Sequence, residues 1–410
     1  MKNLVIIGGS YVGMMVAQEL IKLLDPSRAS EYRVIVVEKN SHFSHLFAYP
    51  RFAILPSHEH KTFLPFPTML PSPHLIRSST TAFSIDPASR TIQLESSGNS
   101  EEMKYEVLVL AMGTNLSPPG TIPGQGTKKE GVEFLKRSQR ELGNARKIVI
   151  LGGGAIGVQM ACDLATLYPP STSGKRITLL HSREQLMPRF HPLLSNTVKM
   201  RFEELGIETI LGSRAVIPEG GFSVLREGEE VEVKTEDGRS ITADCIIQST
   251  GQTPNSKLLQ SFAPSAIAKN GFIEVNSSLH VVPGDEKQKM GLGERVFAIG
   301  DIANSGAPKA ARPAMIHSQV LARNILEFLT SSSPTYESIE LTPSAIHLTL
   351  GFVESVIFRN PPRNGRGEWE GEPTVVWKDD GEEDMGIEGV WERRLLGWRE
   401  RRKEERDYHL

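Results

Sequence analysis

Two stretches of the chain share one order of apolar, glycine and periodic positions. Leu4-Val5-Ile6-Ile7 is continuously apolar, breaks at Gly8-Gly9-Ser10, and resumes as a helix-periodic run through Leu24. Lys147-Ile148-Val149-Ile150-Leu151 behaves alike, breaking at Gly152-Gly153-Gly154 and resuming through Leu167. Each run is followed by a second β-branched one, residues 33–37 and residues 176–180. A short, wholly apolar run predicts a strand buried on both faces, and the periodic run predicts a helix laid on it. Strand, glycine turn, helix, strand is a βαβ unit. The chain carries it twice.

The rest of the pattern fills in around these units. Residues 57–73 are rich in Pro and His and read as loop with short helix, and residues 82–94 read as a strand pair turning at Asp86-Pro87. Residues 105–112 form a buried strand ending at Gly113-Thr114, and the Pro/Gly-rich residues 115–126 read as an interdomain linker. Further strands are expected at 241–250, ending in Gly251, and at 295–299, ending in Gly300-Asp301. An apolar helix should open at Pro313 and run to about Leu329. Beyond Ser344 the alternation is that of strands (Ile346, Leu348, Leu350; residues 356–358; residues 374–377), and the Arg/Glu-dense tail from Trp391 reads as a solvated terminal helix.

Composition narrows the class. Lys plus Arg number 46 against 49 Asp plus Glu, a formal charge of −3, which gives no reason to expect a nucleic-acid partner. With two cysteines, Cys162 and Cys245, a disulfide-stapled scaffold, a Cys-x-x-Cys pair and a zinc cluster are excluded, and both cysteines read as small core residues. His42, His45, His58 and His60 lack the spacing of a metal site and read as loop histidines, so no metal is expected. The apolar start is too short for a spanning helix or a signal core. A cytoplasmic protein is the expectation, with peripheral membrane contact by residues 391–406 left open together with oligomeric state.

The glycine turns carry the chemistry. In such a unit the first Gly permits the turn, the second lets the backbone approach a pyrophosphate, and the third allows close helix packing. The helix N-terminus adds donors and dipole. Gly152, Gly154 and Gly157 fit fully; the first unit has Gly8, Gly9 and Gly13 with Ser10 in the middle, whose hydroxyl could itself reach a phosphate. Glu38, followed by Lys39, closes the second strand of the first unit and can accept both hydroxyls of an adenosine ribose. The matching position of the second unit is His181, followed by Ser182 and Arg183. With no carboxylate to repel a 2′-phosphate, and Arg183 able to pair with it, that site tilts toward NADPH over NADH. Asp301, at a strand's C-terminal end, could accept ribityl hydroxyls of a flavin, and the helix at Pro313 would aim its positive end at the ring.

Taken in order, the Gly8–Gly13 turn with Glu38, Ala111-Met112-Gly113, the Gly152–Gly157 turn, residues 250–255 and residues 297–301 resemble the two-dinucleotide-domain flavoproteins related to glutathione reductase. Ser41-His42-Phe43, Arg51, Lys61-Thr62-Phe63, residues 178–182, Pro308-Lys309 and His317 resemble more narrowly the apoptosis-inducing-factor-like group and its AMID-type members. The resemblance covers about residues 1–330. It implies an α/β chain with two Rossmann-like domains, the second inserted in the first: an FAD domain at 1–118 and 255–330, an NAD(P)H domain at 119–254, and a C-terminal α+β segment at 331–410. It implies FAD contacts at Gly8, Gly9, Gly13, Glu38, Arg51, Asp301 and the backbone at Ala82, with Gly113 and Gly300 at the strand ends. Gly152, Gly154, Gly157, Ser182, Arg183 and the turn at Gly251 fall to the nicotinamide nucleotide, and Lys309 lies near the flavin. The implied activity is hydride transfer from NAD(P)H to FAD and electron delivery to a quinone-like acceptor.

Two departures qualify it. No Cys-x4-Cys follows the first turn, which argues against disulfide reduction, and Gln159 stands where relatives carry Glu in the nicotinamide-side helix. An amide keeps the hydrogen bonding and loses the charge. Two other readings stay open, a tailoring oxidoreductase of a specialised metabolite and a redox-sensing interaction module.

Overall fold

The computed structural model describes residues 1–24, 30–124, 126–222, 225–226, 228–395, 397–398 and 408. Two parallel sheets organise it. The first has five strands in the order Val296–Ala298, Val107–Leu110, Lys2–Ile7, Tyr32–Val37, Leu75–Arg77. The second has four, Glu208–Ile210, Arg176–Leu180, Lys147–Leu151 and Cys245–Gln248. The first sheet thus draws strands from both sides of the second in sequence. Where the chain leaves and returns, Thr114–Leu116 and Gln252–Pro254 pair antiparallel.

Burial explains why the strand runs are apolar without interruption. Leu4, Ile6, Val34, Val36, Val107 and Val109 face one core, with Met14 and Leu20 of the helix Tyr11–Leu23 and Leu321 and Ile325 of the helix Ala311–Thr330. Their alternates Val5, Ile7, Ile35, Val37, Leu108 and Leu110 face another. A period of two with both faces covered requires every position to be apolar. In the helix Tyr11–Leu23 the buried positions Gly13, Met14, Val16, Ala17 and Leu20 form the stripe that the sequence periodicity predicts. The sheet of Ala345–Thr349, Ser355–Arg359 and Thr374–Lys378 places Leu348, Val356 and Phe358 in the core of the second unit.

Three expectations are corrected. The run 241–250 is not one strand: Ser240–Ala243 pairs antiparallel with Val231–Lys234, and Cys245–Gln248 joins the parallel sheet. Asp244 makes the break, its carboxylate accepting the Arg146 and Lys147 backbone N–H groups at 2.7 and 2.8 Å, and Cys245 is only partly buried. The long helix opens at Ala311, two residues ahead of Pro313. The described part of the tail from Trp391 is not a solvated face: Trp391 and Trp398 are fully buried and Tyr408 nearly so, within the core of the first sheet. A composition dense in charge hid the three aromatic anchors Trp391, Trp398 and Tyr408. Residues 399–407 and 409–410 lie outside the described residues.

Candidate functional site

Both glycine turns are built by the same contacts. Gly8 has φ of +107°, and a Cβ there would stand 2.4 Å from the Ala111 carbonyl oxygen; Gly152 has φ of +118° and meets the Ser249 oxygen at 2.6 Å. A Cβ on Gly13 would lie 1.8 Å from the Gly8 oxygen, and one on Gly157 2.0 Å from the Gly152 oxygen. These positions need glycine because helix, turn and neighbouring strand are in backbone contact.

Beneath each turn sits the residue that closes the second strand. Glu38 accepts the Gly9 N–H at 2.5 Å and the Asn40 N–H at 2.9 Å. At the matching place, His181 Nδ1 accepts the Gly153 N–H at 3.0 Å. An accepting Nδ1 places the ring proton on Nε2, an atom that is buried without a partner. Burial pushes the Glu38 carboxyl upward, against the pull of the Asn40 and Gly9 amides. Burial, with Arg183 beside it, pushes the His181 imidazole downward, so the second turn rests on a neutral ring.

Around the first turn the expected strand ends converge. Gly300, at φ +80°, packs on Val12, where a Cβ would come within 3.0 Å, and the Asn255 amide donates to the Met112 carbonyl at 2.9 Å. Gly113 and Gly251 both have positive φ and open space where a Cβ would be, and Ala82 pairs with Leu94 on the second core. Gly300, Asp301, Lys309, Pro313 and His317 line one small cavity at the start of the helix Ala311–Thr330. Lys309 donates to the Ala303 carbonyl and lies 4.5 Å over the Phe272 ring. Burial raises Asp301, with Lys309 and Arg189 opposing, and burial lowers Lys309.

At the second turn, a Cβ on Gly154 would meet nothing within 4 Å. Ser182 is partly buried and Arg183 exposed, as is Lys39 beside Glu38. Gln159 donates its amide to Thr349 Oγ1 at 3.1 Å, which ties it to the C-terminal sheet. Arg51, expected at the flavin, is committed to protein partners. It is buried, donates to Asp163 Oδ2 at 2.6 Å, to the Gly351 oxygen at 2.8 Å and to the Glu383 oxygen at 3.0 Å, and lies over the Phe352 ring. It joins the first unit to the helix Ala155–Leu167 and to the C-terminal segment, a junction no local pattern announces.

These turns fit dinucleotide diphosphates. Ser10 Oγ is buried without a partner at the start of the first helix, where its own side chain makes no cap, and Gly154 leaves its approach open. An orphaned hydroxyl and free helix N–H groups suit a phosphate oxygen. The sequence reading missed Ser249, whose hydroxyl donates to the Leu151 oxygen at 2.9 Å beneath the second turn, and Tyr11, whose hydroxyl is hydrogen bonded to His45 Nδ1. Ser249 was legible in principle, because it closes a strand beside the turn.

Comparison with known proteins places this architecture. Residues 2–318 match the model of the pyridine nucleotide-disulphide oxidoreductase family. The chain is 32% identical to Fe-regulated protein 8 of Mycosarcoma maydis, covering 96% of this chain and 95% of that protein. It is 27% identical to ferroptosis suppressor protein 1 of Taeniopygia guttata, covering 83% and 84%. Among solved structures it is similar to the sulfide:quinone oxidoreductase of Aquifex aeolicus, with a TM-score of 0.72 at 16% identity over 96% of this chain and 90% of that one. No helix among the described residues is long and apolar enough to cross a membrane. The chain belongs to the pyridine nucleotide-disulphide oxidoreductase family, as an apoptosis-inducing-factor-like flavoprotein oxidoreductase that works with FAD and NAD(P)H.

Proposed function

We propose that the protein carries electrons from NADPH to a quinone-like acceptor. Bound FAD would supply the redox chemistry that links the two reactants, the overall balance being NADPH, quinone and one proton from solvent giving NADP+ and hydroquinone. The chain's residues bind and orient. Gly8, Gly9, Ser10 and Gly13 would hold the FAD diphosphate, Glu38 and Lys39 the ribose, and Ala82 the adenine side. Gly113, Gly300, Asp301 and Lys309 would flank the ring. Gly152, Gly154, Gly157, Ser182, Arg183, Gly251 and Gln159 would hold the second nucleotide. The domain limits proposed are 1–118 with 255–330, 119–254, and 331–410. The antiparallel pair at Thr114–Leu116 and Gln252–Pro254, where the chain passes between the two sheets, supports them.

The observation that carries this reading is the contrast beneath the two turns, a carboxylate at Glu38 and a neutral imidazole at His181. Anaerobic stopped-flow reduction of the yellow protein by NADPH and NADH, followed by mixing with a short-chain quinone, tests it. Fast bleaching and fast recovery are expected. A flavin that bleaches but does not recover on quinone moves the acceptor elsewhere; one that neither nucleotide bleaches refutes hydride transfer.

Arg183 gives a selective prediction. It is exposed, and its pairing with a 2′-phosphate would be charge-assisted, worth about 1.5 kcal/mol. Arg183→Ala should therefore weaken NADPH binding roughly tenfold and leave NADH binding unchanged. Dissociation constants from nucleotide-dependent bleaching check it, and equal loss for both nucleotides would remove the selective role.

A further inference from the structure

The C-terminal helix brings a cation to the first turn that the fold does not neutralise. Ile387–Arg394 is fixed by aromatic anchors: the Trp391 and Trp398 rings are 4.6 Å apart, with Tyr408 at 5.0 and 5.3 Å from them. Trp391 Nε1 donates to the Lys61 carbonyl at 2.8 Å, and Lys128 Nζ donates to the Tyr408 carbonyl at 2.7 Å. Held in this register, Arg394 lies 5.1 Å over the Tyr11 ring and 4.7 Å over the Phe43 ring. Tyr11 is the first residue of the helix whose N-cap is Ser10.

Arg394 is partly buried there, and burial lowers its proton affinity. Among the described residues it has no hydrogen bond and no carboxylate partner; its contacts are the two rings. Stacking on the rings returns less than the desolvation of an unpaired guanidinium costs. Its neighbours do not offset the charge. Burial, with Arg394 and Arg393 nearby, pushes His45 down to about 4, and burial holds the Tyr11 hydroxyl well above its ordinary range, so both are neutral. The positive end of the helix Tyr11–Leu23 adds to the same field. A cation over the Tyr11 ring, the N-terminus of the helix that Tyr11 begins and the orphaned hydroxyl of its N-cap Ser10 belong to the same turn. Only an anion satisfies all three.

We propose that Arg394 is an anion-binding residue of the first dinucleotide site, pairing with the FAD diphosphate. The C-terminal segment is then part of the cofactor site instead of an appendage to it. The inference rests on the first turn being the FAD turn.

The release of FAD from the holoprotein after dilution, followed by the rise of flavin fluorescence, tests it. Arg394→Met keeps the stem over the rings and removes the charge; Arg394→Lys keeps a charge. At low ionic strength Arg394→Met should release FAD about tenfold faster than the unaltered protein, with Arg394→Lys in between. The gap should narrow as salt rises, because charge pairing at a partly exposed site is screened and packing is not. Equal release rates, or a gap independent of salt, would overturn the proposal. Gly13→Ala serves as the reference: if it retains FAD as the unaltered protein does, the FAD assignment of the first turn fails, whatever Arg394→Met does.

Discussion

Gly13→Ala should yield a protein without flavin, and Gly157→Ala a yellow protein that NAD(P)H bleaches at least about tenfold more slowly. The two substitutions are the same chemical change at matching places. Each added Cβ would stand about 2 Å from a backbone carbonyl oxygen, 1.8 Å at Gly13 and 2.0 Å at Gly157. Backbone cannot swing aside as a side-chain tip can, so the helix must shift away from its turn. Overpacking of this kind costs about 1–3 kcal/mol in fold stability, within what a large domain tolerates. The shift bears more heavily on binding, since the helix N-terminal donors are displaced from the diphosphate they would hold. Visible absorbance after purification reads the first variant and anaerobic bleaching the second. A colourless Gly157→Ala protein, or a Gly13→Ala protein with full flavin, would reverse or cancel the assignment of the turns.

Arg51→Met should destabilise the fold by about 3–5 kcal/mol, the cost of leaving one partner of a buried ion pair. Arg51 and Asp163 are each about 1% exposed, and the guanidinium also serves the Gly351 and Glu383 carbonyls. Three parts of the chain thus lose their common pin. The effect should depend on pH. Burial pushes Asp163 up to about 6, with Arg51 opposing. A folded value above the ordinary 3.8 means that the folded state holds more protons between about 4 and 6, so this group's contribution falls as pH rises through that window and is flat above it. Without Arg51 the carboxyl should titrate higher still, and the decline should extend through neutral pH. Arg51→Met is therefore expected to be most nearly normal in mild acid and weakest in alkali. Adding Asp163→Asn to Arg51→Met should abolish the extra pH dependence. Melting temperatures across pH check this, and a small, pH-independent loss would show that the pair contributes little.

The architecture was legible because the information that specifies it is local. A buried parallel strand must be apolar at every position, a turn in backbone contact with its neighbour must be glycine, and both leave marks within a dozen residues. The carboxylate under the first turn was legible for a related reason, since a βαβ unit sets the distance from Gly9 to Glu38. The same spacing led to His181, although only the structure shows its Nδ1 accepting from Gly153. Where the reading erred, a long-range partner decided. Asp244 divides an apolar run because Arg146 and Lys147 present their amides to it. Trp391, Trp398 and Tyr408 sit in an Arg/Glu-rich tail, and nothing in that tail shows that Lys61 and Lys128 would receive them.

By itself, then, the sequence determined two dinucleotide units, their order, the residues of their turns and the absence of a cysteine pair for disulfide chemistry. Tertiary structure alone decided that Arg51 pairs with Asp163 at a junction and that Arg394 reaches Tyr11 beside the first turn. The physical reason is the range of the constraint. Backbone geometry acts between near neighbours and repeats as a pattern, whereas a buried charge needs only one partner, which can lie anywhere along the chain that folding brings within reach.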